Sequence, residues 1–89
     1  VSRADNKNMS KDYMADVSKN GTSIKLTVVP HNGENLVAVD AATEDGRRAV
    51  VVWSREGTGW PVVDDMEDSE SDVVWQAVEA HMLANNLWQ

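Results

Sequence analysis

Residues 13–41 read Tyr13-Met14-Ala15-Asp16-Val17-Ser18-Lys19-Asn20-Gly21-Thr22-Ser23-Ile24-Lys25-Leu26-Thr27-Val28-Val29-Pro30-His31-Asn32-Gly33-Glu34-Asn35-Leu36-Val37-Ala38-Val39-Asp40-Ala41. Two Asn-Gly pairs, at 20–21 and 32–33, interrupt runs in which apolar and polar residues alternate. Asn-Gly between such runs is the strongest short-range hairpin signal, because both residues of a two-residue turn take positive φ. The two turns check each other. With Asn20-Gly21 as a turn, Lys19 faces Thr22, Val17 faces Ile24, Asp16 faces Lys25 and Ala15 faces Leu26. With Asn32-Gly33 as a turn, Val28 faces Val37, Leu26 faces Val39, Lys25 faces Asp40 and Ile24 faces Ala41. Both registers place Tyr13, Ala15, Val17, Ile24, Leu26, Val28, Val37, Val39 and Ala41 on one face, and both bring a carboxylate beside Lys25 on the other. A slip of one residue would destroy this agreement. A helix through Met9, Tyr13 and Val17, spaced i, i+4, i+8, is the alternative for the first strand.

A third turn falls at Asp45-Gly46. A two-residue turn would set Val50 and Val52 on the apolar face. A three-residue loop with Gly46 as a bulge sets Ala49, Val51 and Trp53 there instead, and is preferred because Trp53 opposite Val37 closes the core better. The run Ala49-Val50-Val51-Val52-Trp53 has no polar side, which marks a central or covered strand. Trp60-Pro61-Val62-Val63 follows; Pro61 cannot donate to a ladder, so a fifth strand here is short and at an edge.

Residues 64–72 carry six carboxylates: Asp64, Asp65, Glu67, Asp68, Glu70 and Asp72. This run leads into an expected helix over about 72–88, capped by Ser71 or Asp72, with acids suited to the positive end of the helix dipole. At 100° per residue Val74, Ala77, Val78, His81, Ala84 and Trp88 share one face, with Val74, Val78 and Trp88 against the sheet. Leu83 and Leu87 widen the apolar belt beyond one sheet contact. The expected architecture is α+β: an antiparallel β-meander of four strands, or five with the edge strand, and one C-terminal α-helix packed on one face. Residues 1–11 are polar and aperiodic and read as a mobile N-terminal tail; residues 12–89 form the single domain.

Composition narrows the function. The 89 residues carry 8 Lys and Arg against 15 Asp and Glu, a net charge of −7, and no Cys. All eight bases lie in residues 1–55, whereas residues 56–89 hold eight acids and no Lys or Arg. Phosphates demand cationic side chains, so the sign argues against direct nucleic-acid binding and against an anionic membrane surface. No apolar run reaches a membrane span, and the first residues lack a signal peptide's apolar stretch, although Val1 can follow a removed segment. The expected location is cytoplasmic.

No constellation of an enzyme stands out. No Ser has a G-x-S-x-G context, Gly57-Thr58-Gly59 lacks the third glycine and a following helix, and adjacent carboxylates in a loop do not face each other across a cleft. Metal binding without Cys would need both His31 and His81, which nothing brings together, and the acidic run lacks the spaced ligands and glycine of a Ca²⁺ loop. No cofactor is expected. His81 on the helix's apolar face reads as a buried histidine with one hydrogen-bond partner rather than a catalytic group. The acidic run is either a solvated loop with a helix cap, a place for phosphorylation at Ser69 or Ser71, or a docking surface for a basic protein.

Docking is the favoured role: a small acidic module that binds and inhibits a cationic, nucleic-acid-handling protein, as DNA mimics, phage or mobile-element inhibitors and immunity proteins do. Spaced carboxylates imitate a phosphate track and speed encounter with a cationic cleft. The expected contact residues are Asp64, Asp65, Glu67, Asp68, Glu70 and Asp72, with Trp75 as an apolar anchor. Four tryptophans exceed what so small a core readily buries, which leaves at least one near the surface. The alternatives are an oligomeric structural protein, a homodimer through Leu83, Leu87 and Trp88 of the helix, and a small-ligand binder using His81.

Overall fold

The computed structural model describes residues 13–88. Strands β1 (Tyr13–Lys19), β2 (Thr22–His31), β3 (Glu34–Ala42), β4 (Arg48–Trp53) and β5 (Gly59–Asp64) are followed by helix α1 (Asp68–Ala84). The strands form one antiparallel sheet in the order β1-β2-β3-β4-β5, so each pairs with its neighbours in the chain. The tail assigned to residues 1–11 lies outside the described residues, as does Met9 of the alternative helix; Tyr13 and Val17 are in a strand.

Both hairpin registers are those dictated by the Asn-Gly turns: Val17 pairs with Ile24 and Asp16 with Lys25, while Leu26 pairs with Val39 and Lys25 with Asp40. All four turn residues have positive φ, from 51° to 82°. The third turn takes the three-residue form. The Gly46 amide bonds to Thr43 O (3.1 Å), Gly46 has φ 89°, and Trp53 pairs with Val37. β4 is an interior strand, paired on both sides, and β5 is an edge strand, with Pro61 in it and a register shift between Val50 and Val51.

The helix differs from the expectation at both ends. It begins four residues earlier, at Asp68, with Glu67 as N-cap rather than Ser71 or Asp72. The connection forces this. The Asp65 amide is held by Arg48 O (2.8 Å), and Met66, 7% exposed, is pulled into the core, so the chain must turn at once over the sheet. At the other end Asn86 has φ 56°, its amide bonds Leu83 O (3.2 Å) and the Leu87 amide bonds Met82 O (2.8 Å). These two bonds are a Schellman stop. Leu87 and Trp88 therefore leave the helix and fold back against the core. The helix buries Val74, Val78 and Met82 on the sheet; the place expected for Trp88 is taken by Met82.

The core is one layer between α1 and the sheet, built from alternate residues of β2, β3 and β4 with Tyr13, Ala15 and Val17 at its edge. Its gap beneath the helix is about 10 Å³, lined by residues such as Val39, Val51, Met66 and Val74. No helix among the described residues is long and apolar enough to cross a membrane.

Candidate functional site

A meander alternates its connections between two ends of the sheet. The turn at 20–21, the loop at 43–47 and the β5–α1 connection consequently share one end. This collects acids that are distant in sequence. Asp64 closes β5, Asp65 and Glu67 flank the buried Met66, Glu67 caps the helix, and Asp68, Glu70 and Asp72 lie in its first turns. Glu44 and Asp45 come from the neighbouring loop. The positive end of the helix dipole favours the carboxylates of the first turn. Glu70 accepts the Glu67 amide at 2.9 Å and helps close the helix start.

Asp64, Asp65, Glu67, Asp68 and Asp72 are exposed and form no ion pair among the described residues. Glu70 differs. Arg47 reaches it with both terminal nitrogens, Nη1 to Oε1 at 2.5 Å and Nη2 to Oε2 at 2.6 Å, and its Nε donates to Asp45 Oδ2 at 3.0 Å. A guanidinium fork on a carboxylate is geometrically specific. It ties the β3–β4 loop to the helix start. The Arg47 hydrogen bonds, then the Glu67 amide, hold the Glu70 carboxyl below its ordinary range. The Asp45 carboxyl is lowered first by the Thr43 hydroxyl, which donates to it, and then by Arg47. The Arg47 guanidinium is held still more firmly in its charged form.

The remaining expected residue, Trp75, follows Asp72 by three residues, within one helical turn, and is half-buried in an aromatic cluster: its ring meets Trp53 edge-on at 5.0 Å and Trp88 at 6.2 Å, and Gly57 lies against it. The surface tryptophan is Trp60, 56% exposed on β5, a few residues before Asp64. Its signal was its place beside Pro61 on an edge strand, where only one side of a side chain is covered. Glu44 and Asp45 left no local signal, because only the topology brings their loop to the helix start.

His81 is half-buried, and its Nε2 is 3.0 Å from the Tyr13 hydroxyl, which links the helix to β1. His31 is exposed beside its turn and bonds Asn32 (3.2 Å). On the sheet face away from the helix, the ion pair at Asp40 is with Arg48 (3.0 Å). No cluster of three or more His, Cys, Asp or Glu among the described residues is arranged to hold a metal ion. The chain matches no protein-family model, no curated protein and no solved structure.

Proposed function

We propose that the acidic end docks on a cationic surface of another protein and blocks it. The observation that supports this reading is the placement of Asp64, Asp65, Glu67, Asp68 and Asp72: they are exposed, carry no ion pair among the described residues, and are joined at the same end by Glu44. The carboxylates stand on a helix start anchored by Met66 and by the Arg47–Glu70 fork, so the pattern is presented by ordered backbone. Preorganised charge speeds encounter and resists wrong partners. Glu70 and Asp45 belong to the scaffold of this surface more than to its contact set, because Arg47 already occupies both.

The test is charge reversal of Asp64, Asp65, Glu67 and Asp68 to Lys, with affinity for an arginine-rich polypeptide measured at 50 and 300 mM salt. Wild type should bind and weaken steeply with salt, and the quadruple variant should lose both binding and salt dependence. Equal affinities and slopes would remove this role.

A further inference from the structure

The two Asn-Gly turns are a matched pair. Each joins neighbouring strands by two residues, and φ is 53° and 78° at Asn20 and Gly21, 51° and 82° at Asn32 and Gly33. Asparagine before glycine is prone to imide formation, because glycine has no side chain to shield its amide nitrogen from the carboxamide carbon. With turn length and φ alike, the two sites differ in their neighbours. At Asn32 the neighbours favour the reaction. Its Nδ2 donates to His31 Nε2 at 3.2 Å, and both side chains are exposed. A Cβ built on Gly33 would meet nothing within 4 Å, so ring closure there displaces no side chain. At Asn20 the surroundings oppose it. The Glu44 carboxyl carbon lies 3.3 Å from the Cβ position of Gly21, and its oxygens lie 3.4 and 3.5 Å away. A carboxylate so close disfavours the negative charge that builds on the Gly21 nitrogen as it attacks.

We propose that Asn32 is a site of spontaneous deamidation, with His31 as proton donor to the departing ammonia; the proposal is independent of the docking role. The Gly33 amide nitrogen gives its proton to water and bonds to Asn32 Cγ, closing a five-membered ring. Nδ2 is then an amine, and it leaves as ammonia with a proton from the His31 imidazolium as the Cγ–Nδ2 bond breaks. The proton released by Gly33 returns to the imidazole through water, a relay that suits a side chain exchanging protons near neutral pH. A second water opens the imide, at one carbonyl to Asp and at the other to isoaspartate. Either product adds a negative charge. Isoaspartate also routes the backbone through the β-carbon and lengthens a turn whose two residues set the β2–β3 register. This turn is at the opposite end of the sheet from the acidic run, so the modification ages the central hairpin and spares the docking acids.

The test incubates the full chain at pH 7.4 and 37 °C and follows both asparagines by peptide mapping with mass spectrometry, isoaspartate being separated by chromatography. Asn32 should react at least about fivefold faster than Asn20, the scale of one hydrogen bond made in a transition state. His31→Gln should remove most of that lead by slowing Asn32 alone. Glu44→Gln should narrow it by speeding Asn20 alone. Circular dichroism checks that each variant is folded. Equal rates in the wild type, a faster Asn20, or an Asn32 rate indifferent to His31→Gln overturns the proposal. An Asn32 that stays intact in the folded chain while it reacts in the urea-unfolded chain overturns it too, since the turn would then protect the residue.

Discussion

Gly59 pairs with Trp53 across β4 and β5, and a Cβ placed on it would lie 2.5 Å from Trp53 Cδ1 and 2.7 Å from Nε1. The indole ring therefore occupies the space a side chain would need. Gly59→Ala must displace Trp53 from its edge-on contact with Trp75, and overpacking of this kind costs about 1–3 kcal/mol. Thermal unfolding should show that loss, and an unchanged midpoint would mean the ring can swing aside freely. The Arg47 cluster makes a second prediction. Glu70 and Asp45 have ordinary values of 4.5 and 3.8 and are lowered in the folded chain. Lowered carboxyls add stability above their ordinary values and lose it as pH falls through the folded ones. The urea midpoint of the wild type should therefore drop further between pH 6 and pH 3 than that of the Asp45→Asn, Glu70→Gln variant. Equal drops would show that the fork does not stabilise the fold. Neither Arg47–Glu70 nor Gly59–Trp53 was legible in the sequence, because each joins side chains whose proximity depends on the assembled sheet.

The strands were the most legible elements. Period-two alternation and two turns demanding positive φ had to agree on a single register, and a wrong register would have exposed the apolar face of β2. The helix was legible in existence and in Val74 and Val78, and misread at its boundaries. Six carboxylates over 64–72 resemble a solvated loop, yet acids are favourable in a first helical turn, and the apolar Met66 within them marked where the chain is pinned. Periodicity continued through Asn85 and Asn86 to Trp88 on paper. Asn tolerates the left-handed conformation that ends a helix, and here it outweighed the pattern. Met82 became the buried residue of the last turn as a result. Met82→Ala should cost about 2–5 kcal/mol, as truncation of a fully buried methionine does. Denaturant unfolding measures it, and a cost below 1 kcal/mol would show that the end of α1 is loosely held.

Charge is distributed along this protein by its connectivity. Contiguity of the carboxylates from Asp64 to Asp72 was legible from spacing alone; the addition of Glu44, and the pairing of both Asp45 and Glu70 with Arg47, required knowing which connections share an end. The same holds for the tryptophans: four were countable, but only the packing of Trp53, Trp75 and Trp88 leaves Trp60 on the outside. Of the three residues offered for a homodimer contact, Leu87 and Trp88 pack on the chain's own core and Leu83 is exposed. Sedimentation at micromolar concentration should accordingly give a monomer; a dimer would direct attention back to Leu83 or to the open sheet face. Because every strand bonds only to its chain neighbours, the hairpins can close rapidly and independently, each over a short loop. Seating α1 is different in kind, since it joins positions as far apart as Tyr13 and His81, or Asn35 and Leu87. Refolding followed by stopped flow should thus show sheet signal arriving before the indole fluorescence of Trp75 and Trp88 settles, with the helix as the last piece to lock.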